Sequence, residues 1–313
     1  MSDRPAPRET PEHEPPGDPP AAGTGRSSIP RTAGEMLAMA RAFLDRKGVP
    51  EARLEAELLV AHALGLKRLG LFLDLGRPVR SREIDLARDL LVRRGKREPL
   101  AYITGEREFY GRSFRVGKGV LVPRPETELL VDRARAILAA REASAPPPRV
   151  LDFGTGSGCV AVTLALEVEA IRVTAVDVST EALAFARENA ERLGAEVSLL
   201  RGDDPRAARA DAPYDLIVSN PPYVDPAGRA DLAPEVRDHE PADALFVPGD
   251  DVDHWVRRLL ESSGELLAAR GALLVELAYD QGERAVREAE RMGFTASLHR
   301  DLARIDRVLE ARR

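Results

Sequence analysis

Between Thr32 and about Arg97, apolar residues recur at helical spacing, in the sets Met36, Leu37, Met39, Ala40 and Leu54, Leu58, Leu59, Ala61, Leu64. That period predicts amphipathic helices. Gly48-Val49-Pro50 and Gly65 punctuate them, and Leu69, Leu71 and Leu73 precede a break at Gly76-Arg77-Pro78. Ile84, Leu86, Leu90 and Leu91 mark a further helix ending in basic Arg93, Arg94 and Lys96, as the negative end of a helix dipole favours. Residues 31–98 are therefore expected to form a small helical bundle. From Glu108 to Val122 the pattern shortens to strand-like runs broken by Gly117-Lys118-Gly119, so residues 99–123 read as a β-hairpin linker.

Beyond Pro123-Arg124-Pro125, Glu126 and Glu128 open a helix through Leu138, and apolar runs then alternate with helical stretches. Residues 150–153, 171–176, 197–200, 214–219 and 272–277 read as strands, and residues 160–166, 181–193, 252–268 and 281–292 as helices. This alternation predicts a parallel sheet wound by right-handed crossovers, with a terminal hairpin over residues 294–298 and 305–309. Residues 124–313 are expected to form one α/β domain. Residues 1–30 lack any apolar period and are rich in Pro, Gly, Ser, Thr and charge, so they cannot offset the entropy of ordering and are expected to be a disordered tail. Asp3, Glu9, Glu12, Glu14 and Asp18 oppose a mitochondrial presequence in that tail.

Charge narrows the function classes. With 46 basic against 52 acidic residues the net charge is -6, which disfavours a protein that holds nucleic acid by bulk phosphate neutralisation. The single cysteine, Cys159, excludes an internal disulfide framework and a multi-cysteine zinc site, and suits a reducing cytoplasm. No apolar run has the length needed to span a bilayer.

Two loops carry candidate chemistry. Asp152-Phe153-Gly154-Thr155-Gly156-Ser157-Gly158 follows a predicted strand and opens a helix, the context in which glycines let a ligand approach backbone amides. It lacks the final spacing of the dinucleotide fingerprint and the Lys-Ser or Lys-Thr pair of a P-loop. Asp177 ends the second strand, where a carboxylate can accept ribose hydroxyls, and Asp203 ends the third, where one can receive an adenine amino group. S-adenosylmethionine has no pyrophosphate and carries a sulfonium cation, so an acid such as Asp152 suits it better than a dinucleotide. Cys159 reads as a small buried packing residue.

The second loop is Asn220-Pro221-Pro222-Tyr223, just past the strand over residues 214–219. Ligands in open α/β sheets bind at that edge. Two prolines stiffen the loop and remove two backbone donors, leaving carbonyls as acceptors beside the Asn220 side chain and the Tyr223 ring. Acceptors beside an aromatic face suit a planar group carrying an NH2, either a carboxamide or the exocyclic amine of a base.

Both loops, together with Glu98-Pro99-Leu100-Ala101-Tyr102-Ile103-Thr104-Gly105, Leu121-Val122-Pro123-Arg124-Pro125-Glu126-Thr127-Glu128 and the set Glu235-Val236-Arg237, Glu240-Pro241, Ala244-Leu245, carry a family resemblance. From about Thr32 onward the chain resembles the glutamine-amide methyltransferases of class I peptide chain release factors. Relatives that methylate a ribosomal protein are similar too, but depart after Pro-Arg, whereas this chain continues Pro-Glu-Thr-Glu. The resemblance implies a Rossmann-like class I S-adenosylmethionine-dependent methyltransferase sheet with an N-terminal helical bundle that grips the release factor. It also implies a substrate glutamine in a Gly-Gly-Gln loop, and places the chain in the cytoplasm with no direct nucleic-acid or membrane partner.

Under that resemblance the catalytic residues are Asn220, Pro221, Pro222 and Tyr223. The cofactor residues are Asp152, Gly154, Thr155, Gly156, Ser157, Gly158, Asp177, Asp203, Asp204 and Asn220. Asn220 Oδ1 and the Pro221 carbonyl would accept the two amide hydrogens, Tyr223 would pack on the amide plane, and the methyl group would pass in line, with no general base identified. Two departures stand out: Asp204 lies where the family commonly has an adenine-stacking aromatic, and the segment Phe246 to Asp251 has Pro248 and Asp251 where glycines are usual. Two other classes remain open, a DNA adenine amino-methyltransferase acting on a flipped base and a cofactor-binding regulatory protein without catalysis.

Overall fold

The computed structural model describes residues 29–142 and 145–313. All but residues 29–30 of the expected disordered tail therefore lie outside the described residues. The chain runs first through α1 (Ala33–Arg46), α2 (Ala52–Ala63), α3 (Arg68–Leu73) and α4 (Ser81–Gly95). Thr32 caps α1 by accepting the Glu35 N–H, and Met36, Leu37, Ala40 and Leu44 face Leu59, Val60, Ala87 and Leu90 in a closed apolar core. The helical period places this face well, with exceptions: Met39 and Leu54 point outward, and of the three leucines in α3 only Leu71 is buried. Leu69 and Leu73 are solvent-facing because α3 is less than two turns long and can commit one position to the core.

A short helix α5 (Leu100–Thr104) follows and belongs to two cores. Ile103 packs into the bundle, while Ala101 and Tyr102 pack with Val116, Val120 and Val122. The hairpin is β1 (Glu106–Phe109) and β2 (Arg112–Arg115), paired antiparallel. It turns at Tyr110 and Gly111, both at positive φ, the signature of a two-residue turn whose twist matches the strands. The expectation of a strand over residues 120–122 is corrected. That segment is irregular because side chains satisfy its backbone: Tyr102 Oη donates to the Val120 carbonyl, and Glu240 Oε2 accepts the Val122 N–H at 3.1 Å.

The remaining chain alternates as α6 (Glu128–Ala139), β3 (Arg149–Phe153), α7 (Cys159–Glu167), β4 (Arg172–Asp177), α8 (Thr180–Leu193), β5 (Val197–Arg201) and β6 (Tyr214–Ser219). It continues as α9 (Pro234–His239), α10 (His254–Leu266), β7 (Leu267–Glu276), α11 (Gly282–Arg291), β8 (Thr295–Arg300) and β9 (Asp306–Arg312). The seven-stranded sheet has the order β5-β4-β3-β6-β7-β9-β8. Its first five strands are parallel and the last two antiparallel to their neighbours, as the alternation with a terminal hairpin predicts. One apolar layer under α10 and α11 includes Leu151, Ile217, Leu259 and Leu273; the other, under α6 and α7, includes Val150, Leu216, Leu130 and Leu274. Burial on both faces is why these strands read as unbroken apolar runs. The helix expected over residues 252–268 ends two residues early, since Leu267 already pairs with Tyr214 as the start of β7.

Winding outward from β3 to β5 in one direction and from β6 to β7 in the other leaves a crevice between β3 and β6. Such a switch point is where open α/β sheets bind ligands. Phe153 and Ser219, the last residues of those strands, are paired in register, so the glycine loop and the Asn-Pro-Pro-Tyr loop emerge side by side.

Candidate active site

The glycine loop is pinned from within. Asp152 is buried, and its Oδ2 accepts the Thr155 hydroxyl at 2.8 Å and the Ala161 N–H at 3.2 Å, folding the loop back onto the start of α7. Asp177 Oδ2 accepts the Gly156 N–H at 2.8 Å while its Oδ1 accepts the Ser179 N–H at 2.9 Å. Gly158 has φ +77°, and a Cβ there would stand 3.1 Å from Ala186, so neither the backbone nor the neighbouring α8 tolerates a side chain. Ser157 is buried; its carbonyl accepts from Asn189 Nδ2 at 2.9 Å. A Cβ on Gly154 would come within 3.9 Å of the Asn220 carbonyl, which brings the two loops into contact.

The third strand end divides its two acids. Asp203 is exposed just past the end of β5. Asp204 accepts the Arg206 N–H at 2.8 Å and pairs with Arg206 and Arg258, so its carboxylate caps the turn over Pro205–Asp211. In the altered segment, Val224 and Phe246 form a parallel bridge, and Asp251 pairs with Arg257 at 2.7 Å ahead of α10. This segment thus stays attached to the chain leaving Tyr223.

Asn220 Nδ2 donates to Thr127 Oγ1 at 3.1 Å, and among the described residues its Oδ1 takes no protein partner. Asn220, Pro221 and Tyr223 line a cavity of about 340 Å³ with Leu121, Arg124, Glu126, Val236 and Glu276. A larger groove of about 670 Å³ lies at the opposite edge, against Arg149, Arg172 and Val197 at the starts of β3, β4 and β5. It is remote from both loops and from the edge where such sheets bind ligands. Arg124 reaches the buried Glu240 at 2.7 Å, so the Pro-Arg-Pro segment is fastened to the residue that follows α9.

Sequence reasoning missed Glu276. It ends β7, one position past the Ser219–Val275 pair, and so stands beside Asn220 in the parallel register. The signal was present as a lone acid inside Ala-Leu-Leu-Val-Glu-Leu. Glu276 is 1 % exposed, its Oε1 lies 3.5 Å from the Tyr223 hydroxyl, and among the described residues its Oε2 has no hydrogen-bond partner. Burial pushes its carboxyl up to about 7, against the Thr127 hydroxyl and the Arg307 charge. Burial likewise pushes Asp152 up to about 7, against its bonds from Thr155 and Ala161.

These two shifts predict a pH dependence of stability. An unfolded carboxyl loses its proton near pH 4, whereas Asp152 and Glu276 hold theirs to about 7, so the unfolded chain binds fewer protons in between and stability falls as pH rises through that window. Carboxylates held low in the fold, such as Glu57 and Glu83, act only below it. Thermal denaturation of the ligand-free protein should therefore give a lower midpoint at about pH 7.5 than at about pH 5.5. A flat or rising midpoint contradicts the two shifts.

Comparison with known proteins places this geometry in context. Residues 35–105 match the PrmC N-terminal domain and residues 127–236 match the methyltransferase small domain. The release factor glutamine methyltransferase of Geobacter sulfurreducens is 42% identical, covering 90% of this chain and 96% of that one. That of Chlorobaculum tepidum is 42% identical over 88% and 95%. Among solved structures, the hMettl16 catalytic domain in complex with a MAT2A 3′UTR hairpin has a TM-score of 0.52 at 17% identity, over 69% of this chain and 80% of that one, a likeness of fold alone.

Proposed function

The chain belongs to the release factor glutamine methyltransferase family, and from that premise we propose that Asn220 to Tyr223 hold a release factor's glutamine side chain for in-line methyl transfer. It is an S-adenosylmethionine-dependent protein glutamine methyltransferase. The observation that carries the mechanism is the orientation of Asn220: its nitrogen is spent on Thr127, which leaves Oδ1 as an acceptor at the cavity wall. An amide nitrogen is a poor nucleophile because its lone pair is delocalised. Two acceptors, Asn220 Oδ1 and the Pro221 carbonyl, would fix its two hydrogens and leave the lone pair free for a bound cofactor's methyl group; as the N–C bond formed and the sulfonium C–S bond broke, the surplus N–H proton would pass to water. Tyr223 supplies the flat wall on which the amide plane rests.

The residues at the crevice fit the cofactor. Gly154 to Gly158 give a close backbone approach, Asp177 keeps unused lone pairs toward ribose hydroxyls, and exposed Asp203 can receive the adenine amino group. When bound, S-adenosylmethionine supplies an electrophilic methyl on a sulfonium. Asp177→Ala removes both a ribose acceptor and the partner of the Gly156 N–H. Cofactor affinity measured by calorimetry should fall at least about tenfold, the loss of one or two hydrogen bonds at about 1 kcal/mol or more each. Unchanged affinity removes Asp177 from the site.

Residues 31–98 would grip the body of the release factor, with residues 99–123 joining them to the transferase. The deciding experiment is transfer of labelled methyl from S-adenosylmethionine to a purified class I release factor, beside a control whose Gly-Gly-Gln glutamine is replaced and an adenine-containing duplex. Label on the intact factor alone supports the reading. Label on the duplex alone overturns the substrate and keeps the cofactor.

A further inference from the structure

The amide clamp works only if Asn220 presents oxygen, not nitrogen, to the substrate. The two ends of an Asn side chain are nearly the same shape, so something must choose between them. Thr127 Oγ1 receives Asn220 Nδ2 at 3.1 Å, but a hydroxyl could equally donate to Asn220 Oδ1 and invert the amide. Thr127 is 2 % exposed, so its own proton must find an acceptor within the protein. The candidate beside it is the buried Glu276 carboxyl, whose Oε2 is unpartnered among the described residues and whose other oxygen faces the Tyr223 hydroxyl at 3.5 Å.

We propose that Glu276 is a positioning residue that sets the polarity of the clamp: it accepts the Thr127 proton, so that Thr127 can only accept from Asn220 Nδ2, and it accepts the Tyr223 hydroxyl, so that the ring is held on the facing wall. A carboxylate is an acceptor at both oxygens, which is what both duties require. Glutamine has the same shape but carries a donor that Thr127 could accept, and the chain of donors then has no fixed direction. This inference rests on the proposed role of Asn220 and deepens it. It also accounts for a costly feature, a carboxylate buried without a cation bonded to it. Around it stand Arg307 from β9, Glu126 from the turn before α6, Tyr223 from its own loop and the Cys159 thiol of α7. Burial pushes that thiol up to about 12, so it stays neutral while Glu276 titrates.

The test is steady-state methylation of the release factor across pH for wild type, Glu276→Gln, Thr127→Val and Thr127→Ser, with cofactor affinity and melting temperature measured on each. Misorienting one clamp group should lower kcat about 10- to 100-fold in Glu276→Gln and Thr127→Val. Cofactor affinity and KM for the release factor should stay within about threefold, since ground-state binding is not what the clamp supplies. Thr127→Ser keeps the hydroxyl and should retain most of the activity. Wild-type kcat should rise with pH as Glu276 ionises, a limb that Glu276→Gln should abolish, while its melting temperature above neutral pH equals or exceeds wild type. Wild-type kcat with an unshifted acid limb in Glu276→Gln overturns the proposal. So does wild-type kcat in Thr127→Val, which decides alone should Glu276→Gln not fold. If Asn220→Ala abolishes turnover while both of these variants are active, the polarity relay falls and the role of Asn220 stands.

Discussion

Asn220→Ala should lower kcat for release factor methylation by about 10²- to 10³-fold, the loss of about 3–4 kcal/mol that follows removal of one preorganised hydrogen-bond partner at a reacting centre. The side chain lies at the cavity wall with Oδ1 free, and its nitrogen is held by Thr127 without help from the cofactor loop. Cofactor affinity should therefore change by no more than about threefold, because uniform binding and transition-state binding are separable when the lost Oδ1 acts on the reacting nitrogen, and any cofactor contact of Asn220 through its backbone is kept. Asn220→Asp is a sharper probe. It keeps an acceptor toward the substrate but turns a second acceptor toward Thr127, so it should fall between wild type and alanine. Single-turnover methyl transfer under saturating cofactor reads both variants. Equal losses in kcat and in cofactor affinity would remove Asn220 from the chemistry and return it to the wall of the cofactor site.

Much of this site was legible because its parts lie at strand ends. The runs around Leu151, Ile217 and Leu274 read as buried strands, and alternation with helices made them parallel, which puts the Gly154 and Asn220 loops at one edge. What escaped is what depends on contacts between distant segments. Glu276 is silent in sequence because its meaning comes from standing beside Asn220 in the β6–β7 register. The partners of Asp204 were equally hidden, because a strand-end acid can face the crevice or the turn that follows, and the pairing with Arg206 and Arg258 shows only in the fold. The segment over residues 120–122 has the composition of a strand, yet Tyr102 and Glu240 supply its hydrogen bonds from outside any sheet. The helix α9 was invisible too: six residues are too few to show a period, and Pro234 at its start was the one local sign.

That short helix underlies the second large effect. Arg94, near the end of α4, is 3 % exposed and holds Glu55 of α2 through Nε and Nη2, and Glu235 of α9 through Nη2 at 2.7 Å. Arg97 adds a second guanidinium on Glu235 at 2.7 Å. Val236, next in the chain, lines the cavity beside Asn220, so this ion network fastens the helical bundle to the wall of that cavity. Arg94→Met keeps the apolar stem but leaves two carboxylates facing each other in a confined space. Breaking a buried pair costs about 3–5 kcal/mol; Glu55 and Glu235 keep some solvent access and Glu235 keeps Arg97, so about 3 kcal/mol is expected here. In a chain of this size that lowers the melting temperature by about 4–5 °C. With the bundle unfastened, Val236 loses its support, and KM for the release factor should rise while KM for free cofactor does not. The double substitution of Glu55 and Glu235 to glutamine in the Arg94→Met background should recover most of the lost stability, because the penalty lies in the stranded charges rather than in the missing cation. Differential scanning calorimetry on the three proteins separates the two causes. A midpoint for Arg94→Met within about 1 °C of wild type would mean that solvent already screens the network.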